Sequence, residues 1–127
     1  MVAITGLFSG IAVKDIDAAR SFYRDTLGLR VADNTMSALD IELPQGGIIF
    51  VYPKGDHEPA TYTVLNLEVA DIDAAVDELR AKGVVFEIYD GTYQDDNGIA
   101  RGKAANRGPD IAWFLDPSGN ILSLLSN

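Results

Sequence analysis

The chain has 127 residues, the size of one compact domain, and its 47% hydrophobic and 23% charged residues are ordinary for a globular protein with a real core. Its 10 Lys and Arg against 19 Asp and Glu give a formal net charge of −9, a field that repels a phosphate backbone and speaks against nucleic-acid binding. The absence of cysteine excludes disulfides, thiolate metal sites and thiol nucleophiles. No apolar run approaches the roughly 20 residues of a membrane span, so no membrane partner is expected. The opening "MVAITGLFSG" has no basic region before its apolar stretch; no signal peptide is read there, and a cytoplasmic location is the expectation.

Along the chain, "TGLFSGIAV" (Thr5–Val13) reads as a strand and leads into "VKDIDAARSFY" (Val13–Tyr23). Asp15 stands where a helix N-cap belongs, and Ile16, Ala19, Phe22, Tyr23 and Leu27 follow at helical spacing until Gly28 ends the run. Three strand-like runs come next: "LRVAD", "MSALDIEL" and "GGIIFVYP". The stretch "PKGDHEPAT" then reads as a linker, in which the chain's one histidine, His57, is expected to be solvated.

A second strand, "TYTVLNLEV" (Thr61–Val69), leads into "VADIDAAVDEL" (Val69–Leu79), which repeats the earlier phrase at one constant spacing. Asp71 takes the cap position, Ile72, Ala75, Val76 and Leu79 form the apolar stripe, and Gly83 ends it. The runs "VVFEIYD", "PDIAWFL" and "GNILSLL" complete the copy. Even the last turns correspond: "LPQGGII" matches "DPSGNIL", with Pro44 opposite Pro117 and Gly46 opposite Gly119. The second copy is longer by a polar insertion within "GTYQDDNGIARGKAANRG" (Gly91–Gly108). The pattern predicts an α+β fold of two βαβββ modules in one domain spanning 1–127, module one at 1–55 and module two at 60–127.

The βαβββ pair, "VKDIDAARSFYRDTLGL" (Val13–Leu29) and "WFLDPSGNILSL" (Trp113–Leu124) resemble the vicinal oxygen chelate superfamily, which includes glyoxalase I, extradiol dioxygenases, fosfomycin-resistance enzymes and bleomycin-resistance proteins. The resemblance covers almost the whole chain. It implies two sheets curled around a shared cleft with helices outside, and commonly a homodimer. It does not choose a reaction, because the fold hosts both enzymes and binders.

In the family's metalloenzymes a divalent ion is held by His, Gln or Glu at corresponding strand positions. Carried onto this chain, those positions are Phe8, Phe50, Val64 and Ser123. Phe and Val have no donor atoms and a lone neutral Ser is a poor ligand, so neither metal nor any other cofactor is expected. The dinucleotide fingerprint and the P-loop are both missing. "DDNG" (Asp95–Gly98) lacks the alternating acids of a calcium loop and reads as a turn.

Alternation in "TYTVLNLEV" puts Thr63, Leu65, Leu67 and Val69 on an apolar face toward the helices, and Tyr62, Val64, Asn66 and Glu68 on the other. The expected ligand-binding residues are Phe8, Phe50, Val64, Asn66, Trp113, Ser123 and Arg101. Asn66 would orient a ligand through its amide and Trp113 would stack on it. Glu68 is a weak candidate for a general base if burial raises its pKa. Tyr62, Tyr89 and Tyr93 are candidate aromatic walls. Arg101, with Lys103 and Arg107, concentrates basic charge in the insertion, which reads as a mobile lid carrying a cation.

These readings point to a metal-free protein that binds a small organic molecule, sequestering it as bleomycin-resistance proteins do. The alternatives are a glyoxalase-like lyase or other enzyme with a relocated metal or acid–base residues alone, and a structural or regulatory partner with a vestigial cleft.

Overall fold

The computed structural model describes residues 1–127, which divide into two compact units, Met1–Glu58 and Pro59–Asn127. The first unit runs β1 (Ser9–Val13), α1 (Ile16–Ser21), a π-helical turn (Phe22–Thr26), β2 (Arg30–Asp33), β3 (Leu39–Glu42) and β4 (Ile48–Pro53). Its sheet has the order β1-β4-β3-β2, with β1 parallel to β4 and the other pairs antiparallel. The second unit runs β5 (Thr63–Glu68), α2 (Ile72–Ala81), β6 (Phe86–Glu87), β7 (Ala100–Arg101), β8 (Asp110–Leu115) and β9 (Ile121–Ser126). Here the order is β5-β9-β8-β6, β5 is parallel to β9, and β7 pairs with β8. Mixed α+β architecture with a repeated first-strand, helix, last-strand plan is what the sequence repeat encodes.

Both helices start where the repeated aspartates stand. The Asp15 carboxylate accepts from the backbone N–H of Asp17 (3.0 Å) and Ala18 (3.1 Å), and Asp71 accepts from that of Ala74 (3.1 Å). Each cap satisfies donors that the first helical turn leaves without a partner. α1 then widens into the π turn, where the Leu27 N–H donates to the Phe22 carbonyl at 3.0 Å. Tyr23, in that turn, is fully buried with Val13, Leu39 and Val51 in the core of the first unit. In the second unit Ile72, Val76 and Leu79 of α2 are buried, as are Ala112, Phe114, Leu122 and Leu124 of β8 and β9.

The β3–β4 and β8–β9 turns are equivalent, each with glycine in the left-handed region, Gly46 at φ 102° and Gly119 at φ 85°. The second is the more heavily tied. The Asp116 carboxylate accepts from the N–H of Ser118 (2.8 Å) and Asn120 (2.9 Å) and from the Asn120 amide (2.9 Å).

Four expectations are corrected. The first strand begins at Ser9, not Thr5, because the parallel ladder starts at Ser9 beside Ile49 and β4 itself begins only after the Gly46–Gly47 turn. Residues before Ser9 therefore have no strand to pair with. "VVFEIYD" supplies only the two-residue β6, and the insertion contributes a strand of its own, β7. Finally, His57 is buried at 8% exposure, and its Nε2 has no hydrogen-bond partner. The linker is folded rather than loose: the His57 N–H donates to the Lys54 carbonyl at 3.0 Å, just past β4.

Candidate functional site: the open face of the second sheet

Side chains alternate across β8, so Asp110, Ala112 and Phe114 lie on the same face as buried Leu122 and Leu124, and Ile111, Trp113 and Leu115 lie on the other. That other face is the open one. Its centre is a row in register, with Asn66 beside Ser123 and Ser123 beside Trp113. The Ser123 hydroxyl, fully buried, donates to the Asn66 Oδ1 at 2.6 Å. This leaves the exposed Asn66 amide nitrogen free to donate outward. Around the pair, half-buried Ile111, Trp113, Ile121 and Leu125 make an apolar surface, and Tyr89 meets Trp113 edge to face at 5.6 Å.

The simple alternation read for β5 fails at one point. Thr63 pairs with Ile121 and Leu65 with Leu122, so the register shifts and Val64 is an extra residue without a partner. Thr63 thereby joins the Asn66 face instead of the helix face. Its hydroxyl oxygen accepts from the Trp113 indole N–H at 3.1 Å, which fixes the ring and leaves its flat surface for contact. Thr63 was not expected in the site; nothing in a run of alternating residues marks where a bulge falls.

Of the other candidates, Phe50 and Phe8 meet in the first unit at 6.3 Å between ring centroids, Phe8 being 64% exposed. Tyr62 and Tyr93 are exposed and add no wall, Tyr93 instead lying beneath the Arg107 guanidinium. Glu68 is exposed and accepts from the Asn127 amide at 3.2 Å. The burial on which its reading as a general base rested is absent.

Phe8, Phe50 and Val64 have no donor atoms, and the Ser123 oxygen is buried and already bonded. Nowhere are three or more His, Asp or Glu side chains gathered so as to hold a metal ion. The donor set does not fit the family's divalent ion.

Arg101 is the clearest correction. It pairs in register with Asp110, on the helix-covered face, opposite Asn66 and Trp113. Its guanidinium bridges Asp73 at the start of α2 (2.6 Å) and Asp95 in the insertion (2.9 Å), with Asp110 at 4.0 Å. The insertion is not a loose lid. Ile99 is fully buried, and the Gln94 amide donates to the carbonyls of Glu87 (2.8 Å) and Gly98 (2.7 Å) while accepting from the Tyr89 N–H (2.8 Å). Lys103 reaches the Ser126 hydroxyl at 3.0 Å. A polar composition concealed a segment woven into the second unit.

The chain belongs to the Glyoxalase/Bleomycin resistance protein/Dioxygenase superfamily, whose family model matches residues 4–124. Among curated proteins none matches the sequence significantly. Solved structures share the fold at low identity. A genomically encoded fosfomycin resistance protein, FosX, of Listeria monocytogenes is 16% identical with a TM-score of 0.70, covering 98% of this chain and 95% of that one. A glyoxalase family protein of Bacillus anthracis is 16% identical with a TM-score of 0.69, covering 100% and 99%. TnmS3, an antibiotic binding protein of Streptomyces sp. CB03234, is 24% identical with a TM-score of 0.66, covering 99% and 98%.

Removing the Arg101 side chain is expected to leave three carboxylates facing one another. Arg101→Ala should destabilise the protein by about 1–2 kcal/mol at neutral pH, above the median for exposed pairs because one guanidinium serves several acids. The Arg101 hydrogen bond holds the Asp73 carboxyl below its ordinary value. For Asp95, burial pushes upward, but the Ile99 N–H, Arg101 and the Asn97 N–H together hold it low. Carboxylates with depressed folded pKa values stabilise above their ordinary pKa of about 4 and lose that contribution as pH falls through the folded values. Denaturant melts of wild type and variant should therefore converge on acidification below about pH 4. Equal stability at neutral pH would show that the cluster does not anchor the insertion.

Proposed function

We propose that the protein binds a small organic molecule without a divalent metal, using the open face of the second sheet as a contact surface. The observation that carries this reading is the hydrogen bond from buried Ser123 to exposed Asn66, at a position where the family resemblance implies a metal ligand. In that row a fixed amide donor, set in apolar surface beside an oriented indole, takes the place of a metal site. An apolar surface with few fixed polar groups is the usual chemistry of a small-molecule site. The antibiotic-binding character of TnmS3, a protein of the same fold, favours sequestration as the outcome. FosX has been observed with Mn(II) and sulfate; the donor-poor positions of this chain argue for a different mode.

A thermal-shift screen of organic compounds against chelator-treated protein tests this. A ligand at 100 times its Kd should stabilise the native state by about 2.7 kcal/mol and raise the melting temperature by several degrees. Trp113→Ala or Asn66→Ala should weaken such a hit about tenfold. Hits that appear only after divalent metal is added, or none at all, would sink the proposal.

The functional form is proposed to be a homodimer, as the family resemblance implies. Support comes from the apolar side chains of Val2, Ile4, Leu7 and Phe8, all exposed in the single chain. Light scattering at micromolar concentration should return about twice the 13.7 kDa chain mass; a monomer at every concentration would refute this.

A further inference from the structure

The first sheet has an open face of a different character. Asp40, beside Phe50 in the β3–β4 ladder, lies on the same face as Phe50 and Tyr52, whose rings stack at 5.8 Å with their planes 21° apart. Phe8 closes one end of this row edge to face at 6.3 Å. On the neighbouring strand the residues in register with Phe50 and Tyr52 are Gly10, which has no side chain, and Ala12, which has a single methyl. They make the strand beside the aromatic row a low floor.

The charge on that floor is one-sided. Asp40 is half-buried, and its carboxylate is met only by the Asn34 amide, at 3.3 and 3.4 Å, with no cation in salt-bridge reach. Two cations come near this face and both are already paired: Arg30 lies 3.5 Å from Glu42, and Lys54, which follows β4 and approaches Tyr52, lies 2.5 Å from Asp56. An anionic ligand finds no free partner here, whereas a cation finds an uncompensated carboxylate next to π-faces.

We propose that this face is a binding site for planar aromatic cations, the ring system stacking on Phe50 and Tyr52 and the positive charge meeting Asp40. This rests on the small-molecule reading and specifies its ligand class, at residues outside the second sheet. The net charge of −9 works in the same direction by concentrating cations near the protein.

Three fluorescent tricyclic probes test it: 9-aminoacridine (a cation at neutral pH), acridone (neutral) and anthracene-9-carboxylate (an anion). Wild-type protein should bind 9-aminoacridine about tenfold more tightly than acridone, and the anion most weakly, with the cation's advantage shrinking in salt. Asp40→Asn should bring the cation to the level of acridone while leaving acridone within about twofold. Tyr52→Leu should weaken both. Gly10→Val provides a second route to the same loss. A Cβ there would stand 3.7 Å from the Tyr52 ring, an ordinary contact, so the fold should tolerate it while the added methyls cover the floor.

Equal binding of cation and neutral probe by wild type, or a preference that survives Asp40→Asn, overturns the proposal. If binding is lost in Trp113→Ala but not in Tyr52→Leu or Gly10→Val, the second sheet is the site: the small-molecule reading stands and this one falls. If no probe binds while the thermal screen finds other ligands, this proposal falls alone. If neither experiment finds a ligand, both fall.

Discussion

In each unit the first strand lies parallel to the last, β1 with β4 and β5 with β9. Parallel neighbours cannot be joined by a tight turn, so the chain between them must leave the sheet, and it does so as a helix. The helix covers one face and buries Val13, Val51 and Leu39 in the first unit, Phe114, Leu122 and Leu124 in the second. The other face receives no helix from its own unit. Whatever chemistry the protein performs on its sheets follows from this division: one face is committed to stability, and the other is left to the side chains that alternate with the core.

Outside the bulge at Val64, strand alternation assigns these faces, so core and site occupy interleaved positions of the same strands. Leu122 and Leu124 hold α2, while Ser123 between them holds Asn66. On the family resemblance, Phe8, Phe50, Val64 and Ser123 stand where the family's enzymes hold a metal, and the two Phe and the Val have no donor atoms. Family membership therefore fixes the scaffold and leaves the reaction open. The first sheet's open face is aromatic and acidic; the second is apolar with one amide and an oriented indole.

The elements most legible in the sequence are those determined by their immediate neighbours. Asp15 and Asp71 cap helices through N–H groups two or three residues away, and Gly46 and Gly119 make turns that a side chain would strain. What was not legible depends on distant partners. Arg101 in a polar run reads the same whether free or tied, and its partner Asp73 lies in another element. The bulge at Val64 is visible only from the partner strand, yet it moves Thr63 across the sheet and anchors Trp113. His57 looks solvated amid charged neighbours, but its turn carries it inward. Tyr52 was within reach of alternation from Phe50; the unpaired charge of Asp40 was not, because charge compensation is a property of the folded surface.

The central claim is that an open sheet face takes an organic ligand directly, with no metal between them. A two-dimensional amide NMR titration of metal-stripped protein with an organic ligand tests it most directly. The account predicts saturable shifts at Thr63, Asn66, Trp113 and Ser123 for a ligand of the second sheet, or at Asp40, Phe50 and Tyr52 for one of the first, without added metal. Shifts that arise only when a divalent ion is supplied, or that fall on the helices and spare both open faces, would contradict it.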